Sequence, residues 1–193
     1  MLLEPLSTVA LGQLLSVPKA KIDQILKGLH SVLSVPEDDP SPVQLLHLSF
    51  RDFLLDQQRC QDDQFWIDEK NAHSALFEGC LTVMSKAPET TLQSDICSLK
   101  KQDTLRSEVD RSLIDQCLPS HVQYACRFWV NHLQRSGTLL HDDDKVHQFL
   151  RDHLLHWFEA LTLMGKTSEG VLAITSLEAY IQVSRLNRLG NSS

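Results

Sequence analysis

Three stretches of the chain set apolar side chains on one face of a long helix, and they confine it to a mainly α fold. Ala72, Leu76, Gly79, Cys80, Val83 and Met84 form the first stripe. Val122, Ala125, Cys126, Trp129, Val130 and Leu133 form the second, and Val146, Phe149, Leu150, Leu154, Trp157, Phe158 and Leu161 the third. Their three- and four-residue spacing turns one side of each helix to a core, and a face of that width needs other helices to cover it. A last helix is expected over 168–186, with Val171, Ile174, Leu177 and Ile181, joined by Leu172 and Ala173, on a wide apolar face. The spacing therefore predicts an α-helical bundle or short superhelical array over 65–186 and a frayed tail at 187–193. Tyr124 and Phe128 stand off the main stripe of their helix, as do Leu155 and Leu163 of theirs, so neighbours are expected to pack from two directions. The stretch 87–118 is the least periodic, with short helical turns expected only around Ile96 and Leu113.

Residues 1–58 follow a different rhythm. Ala10, Leu11, Leu14 and Leu15 share one side of a short helix after Ser7, and Ile22, Ile25, Leu26 and Leu29 line a second that begins near Pro18. The runs "SVLSV" and "VQLLHL" come next, separated by "PEDDPSP", whose prolines cannot continue a ladder and so mark a hairpin tip. Helix, helix, hairpin is the order of a winged helix, here without the first helix such a domain carries. Ser49 and Asp52 have the spacing of a capping box that opens another helix.

Charge and cysteine content limit the function. The net charge of -7 provides no basic footprint for a phosphate backbone. The second helix of the 1–58 unit carries Lys19, Lys21 and Lys27, offset by Asp23 and an acidic wing, which disfavours a DNA-reading winged helix. That DNA-binding regulator is the alternative to an interaction module. No run is long and apolar enough to span a bilayer, and the start lacks the basic region of a signal peptide. Five scattered cysteines with no C-x-x-C pair fit a reduced, cytoplasmic setting.

Motifs for chemistry are incomplete. "MGKTSEG" ends like a phosphate loop, but Ala160 stands where its first glycine belongs, and Gly165 reads as a helix C-cap. His147, His153 and His156 lie near one another without the carboxylate or thiol spacing of a metal site, and no G-x-S-x-G marks a hydrolase. The acids at 142–144 read as the first turn of a helix, where the dipole favours them. No catalytic residue and no metal ligand is assigned.

One histidine stays open to two readings. His47 stands where the hairpin meets the next helix, and the period of two places it on the face of Val43 and Leu45, so a partly buried, structural role is one reading. The other is contact with a phosphate, since an imidazole can donate to an anion and the loss of that bond can shift a two-state equilibrium.

Several blocks, "PLSTVALGQLLSVP", "LHSVLSVPEDDPSPVQLLHLSFRDFLLD", "FWIDEKNAH", "LRSEVD" and "QCLPSHVQYACRFWVNHL", resemble the region that follows the NACHT nucleotide-binding domain in fungal NACHT proteins. These include the vegetative-incompatibility type that ends in WD repeats, and the resemblance runs to about residue 185. It implies a non-catalytic regulatory fragment of a STAND-class switch ATPase, packing on a nucleotide-binding domain in cis or in trans and relaying its state. It also implies that His47 takes the place of the histidine that contacts the ADP phosphate in related switches, although Leu48 and Ser49 follow where many relatives carry an acid. ATP or ADP would then be held by the nucleotide-binding domain and no cofactor by this chain. Self-association is expected through uncovered apolar faces, and neither nucleic acid nor membrane is an expected partner.

Overall fold

The computed structural model describes residues 1–36, 41–61, 65–85, 92, 95–97 and 109–190. Among these residues the chain is mainly helical, with eight α-helices and one two-stranded antiparallel sheet. The order is α1 (Thr8–Leu15), α2 (Lys19–Leu26), β1 (Leu33–Ser34), β2 (Gln44–Leu45), α3 (Leu48–Leu55), α4 (Glu69–Ser85), α5 (Arg111–Cys117), α6 (Ser120–Ser136), α7 (Lys145–Leu163) and α8 (Thr167–Gly190).

Helix α6 is the axis of the core. It packs most extensively on α4 and also meets α1, α7 and α8. All six residues of its expected stripe are buried. Of the α4 stripe, Leu76, Cys80, Val83 and Met84 are buried, and Phe77 and Leu81 join them because α1 and α6 cover that helix from two sides. The indole of Trp129 stands edge-on to Phe149 at 5.4 Å and to Trp157 at 5.3 Å, an aromatic arrangement favoured by the ring quadrupoles. Each fully buried large apolar side chain contributes about 1.5–3 kcal/mol relative to exposure, so these stripes dominate the stability of the bundle. Leu6, Ala10 and Leu14 belong to this same core, which brings α1 against α4 and α6.

Local chemistry sets the ends of the elements at the N-terminus. The Ser7 side chain caps α1 by accepting from the Ala10 N–H at 3.3 Å. Pro18 opens α2, as its fixed φ allows. In the hairpin, Leu33 faces Leu45 and Ser34 faces Gln44, and prolines 36 and 42 stand just outside the two-residue strands. The hairpin tip at 37–40 lies outside the described residues. The Val43 N–H donates to the Leu6 carbonyl at 2.9 Å, so the segment before α1 borders β2.

Several expectations change in three dimensions. Helix α3 is capped by His47, not by a Ser49–Asp52 box; Ser49 supplies the N–H that is capped, and Asp52 lies inside the helix beside Arg51 at 4.0 Å. The expected apolar face of α2 buries no residue, and Ile25 is 57% exposed. On α8 the wide face narrows to Leu177, with Ala173, Ile174 and Ile181 partly buried, while Val171 and Leu172 point outward. Among the described residues only α6 and α7 reach α8 extensively, and one side of it has no cover from them. Leu163 is buried and Leu155 is exposed, so only one of the two residues off the α7 stripe meets a neighbour. Asp144 is the N-cap of α7, accepting from Val146 and His147, and Asp142 and Asp143 precede the helix instead of forming its first turn. In the aperiodic connector, Ile96 sits in a turn and Leu113 in α5, capped by Asp110; 86–91, 93–94 and 98–108 lie outside the described residues.

Candidate functional site

His47 occupies an exposed junction between β2 and α3. Its backbone is extended, with φ -146° and ψ 132°, and its ring turns back over the first turn of α3. The Nδ1 atom accepts from the Ser49 N–H at 3.1 Å and lies 2.7 Å from the Ser49 hydroxyl. An imidazole nitrogen here does what Asp or Asn oxygen does in an ordinary N-cap. Because Nδ1 must accept, the neutral ring carries its proton on Nε2. That N–H is a hydrogen-bond donor at a helix N-terminus, where backbone amides and the helix dipole favour an anion. The partly buried position expected from the strand pattern is not observed, because β2 ends at Leu45 and the alternation stops before His47.

Apolar side chains surround this junction without a covering partner among the described residues. Leu46 is 57% and Leu48 73% exposed, and Leu45 is exposed as well. Helix α3 buries none of its residues and is held to the bundle by the Ile67 N–H bonded to the Leu54 carbonyl at 2.9 Å and by Arg51 with Glu69 at 3.4 Å.

A second polar cluster lies wholly inside. His73 of α4 and His132 of α6 are both fully buried, with their Nδ1 atoms 2.7 Å apart. The Tyr124 hydroxyl lies 2.8 Å from His132 Nε2 and accepts from the Leu3 N–H at 3.1 Å. Burial lowers both imidazoles below the usual histidine range; His132, beside His73 and Arg135, falls to about 4. Burial raises the Tyr124 phenol above its ordinary range. Nothing in the local pattern marks this cluster, since its two imidazoles are 59 residues apart. The available signal was that His73 and His132 each sit beside an apolar stripe position.

The remaining candidates resolve into structure. Gly165 takes the left-handed region at φ 69°, and its N–H and that of Lys166 donate to Thr162 and Leu161, which is a helix C-cap; the Lys166 ammonium pairs with Glu169 at 2.8 Å. His147 Nδ1 accepts from the Asp143 N–H at 3.1 Å, and His153 and His156 are ring neighbours at 6.0 Å. Among the described residues no three His, Cys, Asp or Glu side chains gather as metal ligands do. A groove of about 380 Å³ between α4 and α7 is lined by the ion pair of Glu78 and Lys145, by Asp152 and by His153. Its charges are already paired or open to water. No described helix is long and apolar enough to cross a membrane.

The fold and its exposed junction thus describe a helical bundle carrying a helix, helix, hairpin unit with a solvent-facing histidine cap. The chain is similar to the vegetative incompatibility protein HET-E-1 of Podospora anserina, at 29% identity over 202 residues that take in 92% of this chain. It spans only 14% of the length of that protein, and the similarity supports a relationship to a fungal protein. No family model and no solved structure matches the chain.

Proposed function

We propose that the chain is a non-catalytic regulatory and interaction module of a cytoplasmic NACHT-type signal-transduction ATPase, packing on a nucleotide-binding domain and relaying its state. In this reading residues 1–58 act as a winged-helix-like unit and 65–186 as a helical domain. The observation that carries it is His47: an exposed imidazole at a helix N-terminus, its Nδ1 engaged by Ser49, its Nε2–H turned outward as a donor for the phosphate of ADP. Two further features support it. The Leu6 to Val43 backbone bond sets the segment before α1 beside the hairpin. The uncovered Leu46 and Leu48 flank His47 as the rim of a docking face would. ATP or ADP is held by the nucleotide-binding domain, in cis or in trans, and this chain senses it through one contact. Duplex binding is not favoured: Lys19 is tied to Asp23 at 3.0 Å, and the net charge is -7.

The test separates capping from sensing. In a polypeptide that also holds the nucleotide-binding domain, His47→Asn keeps an N-cap acceptor and removes the far donor, whereas His47→Ala removes both. A charge-assisted hydrogen bond is worth about 1.5–3 kcal/mol, so both variants are expected to release ADP roughly 10- to 100-fold faster than the unmodified protein. Wild-type ADP retention in His47→Asn would reduce His47 to a cap.

A further inference from the structure

The proton order in the run of Leu3, Tyr124, His132 and His73 follows from counting donors and acceptors. The Leu3 N–H already donates to the Tyr124 oxygen, so the phenol O–H is free to donate to His132 Nε2. His132 then carries its proton on Nδ1 and gives it to His73 Nδ1, 2.7 Å away. His73 is left with its proton on Nε2, which faces the Glu69 carboxylate at 3.8 Å, beyond a hydrogen bond but oriented toward negative charge. The opposite order turns a bare Nε2 lone pair toward that carboxylate and leaves the phenol proton without an acceptor. Of the two neutral arrangements, only the first gives the phenol proton an acceptor and turns an N–H, not a lone pair, toward Glu69.

No imidazole lone pair in this run is spare. A proton added at His73 Nδ1 sets two N–H groups head to head, and one added at His132 Nε2 displaces the phenol proton and buries a cation. Both rings are fully buried, so water cannot relieve either arrangement. The facing charges divide. Glu69 of α4 favours a cation on His73, while Arg135 of α6 and the Met1 amino group oppose one. Arg51 of α3 acts on that amino group together with Glu69, and Cys80 and Glu4 face the phenol.

We propose that the His73–His132–Tyr124 run is an acid-sensitive latch, holding residues 1–6 against α4 and α6 while both imidazoles are neutral and releasing them when either takes up a proton. The segment it holds is the one whose Leu6 carbonyl borders the hairpin, so the latch joins the helix, helix, hairpin unit to the bundle. The sign is fixed by the lowered values of both rings. An opened latch exposes imidazoles that protonate near pH 6.5, about their ordinary value. As pH falls below that value, the open form gains protons that the closed form refuses. The ratio of closed to open drops about tenfold per pH unit for each ring, down to the pH at which the closed form itself protonates.

Nuclear magnetic resonance of the full chain from pH 7.5 to 5 tests this directly. Long-range nitrogen spectra at pH 7.5 are expected to show His132 protonated on Nδ1 and His73 on Nε2. The protection factor of the Leu3 amide against exchange is expected to fall at least tenfold by pH 5, while amides of α7 around Trp157 keep theirs. A charged ring at pH 7.5, or Leu3 protection that stays constant or falls only together with that of α7, overturns the latch. Tyr124→Phe removes the donor to His132 and the acceptor for Leu3, and it is expected to leave residues 1–6 as open at pH 7.5 as the unmodified chain is at pH 5. Wild-type protection of Leu3 in that variant also overturns it.

Discussion

Gly79 of α4 lies directly against the carbonyl oxygen of Leu14 at the end of α1, and a Cβ built on it would overlap that oxygen. The close approach lets α1 sink into the groove between α4 and α6, burying Leu14 completely. On an exposed helix face a glycine-to-alanine change is favourable by up to about 1 kcal/mol. Here the sign reverses, because backbone has to move. Gly79→Ala is expected to destabilise the chain by about 1–3 kcal/mol in urea unfolding. Gly28, where an added Cβ meets nothing within 4 Å, is the control, and Gly28→Ala is expected to stabilise by about 0.4–1 kcal/mol.

Trp157 closes the far side of the core. Its indole N–H donates to the Cys126 carbonyl at 2.7 Å, and its ring is fully buried. Trp157→Phe removes the donor and leaves a void beside Trp129, and a loss of about 2–4 kcal/mol is expected. Thermal unfolding followed by circular dichroism measures it, and a loss below 1 kcal/mol would mean that the helices close over the gap.

Arg127 joins three elements. It bonds Glu4 before α1 at 2.6 Å and Glu169 in the first turn of α8 at 2.8 Å, with only 17% of its side chain exposed. Burial works to raise the Glu169 carboxyl, but the hydrogen bonds and charges of Arg127 and Lys166 together hold it below the usual carboxylate range. A depressed carboxylate contributes stability above its unfolded value and loses it as pH falls through the folded one. Arg127→Gln is therefore expected to destabilise the chain at pH 7 and to matter progressively less below about pH 4.5, where the unfolded carboxylates protonate. An equal effect at pH 7 and pH 3 would place the role of Arg127 in packing.

The apolar rim at Leu46 and Leu48 is expected to drive self-association when the chain is alone in solution. Light scattering at tens of micromolar is expected to give a mass above that of one chain, and Leu48→Glu, which also suits the first turn of α3, is expected to lower it. A clean monomer in the unmodified protein would remove the rim as a contact surface.

How much of this was legible depends on the range of the forces involved. Helices α4, α6 and α7 were legible because their period of about 3.6 is written into neighbouring residues, and the hairpin because prolines 36 and 42 bound it. The junction at His47 was legible as a position. Its exposure and capping role were not, since a period-two face was extended two residues beyond the end of the strand. Apolar period alone also could not tell that Ile25 of α2 and the Val171 and Leu172 side of α8 face outward, because a stripe reports what a helix can bury and not whether a neighbour arrives.

The sequence by itself determined the helical class, the places of the helices and hairpin, and the failure of the phosphate loop at Ala160. Tertiary structure alone decided that His73 and His132 meet across 59 residues, that Tyr124 ties them to Leu3, and that the His47 ring stands in solvent. The physical reason is locality. Helix period, caps and turns act within about four residues and can be read along the chain, whereas burial and buried hydrogen bonds depend on which distant faces pack together.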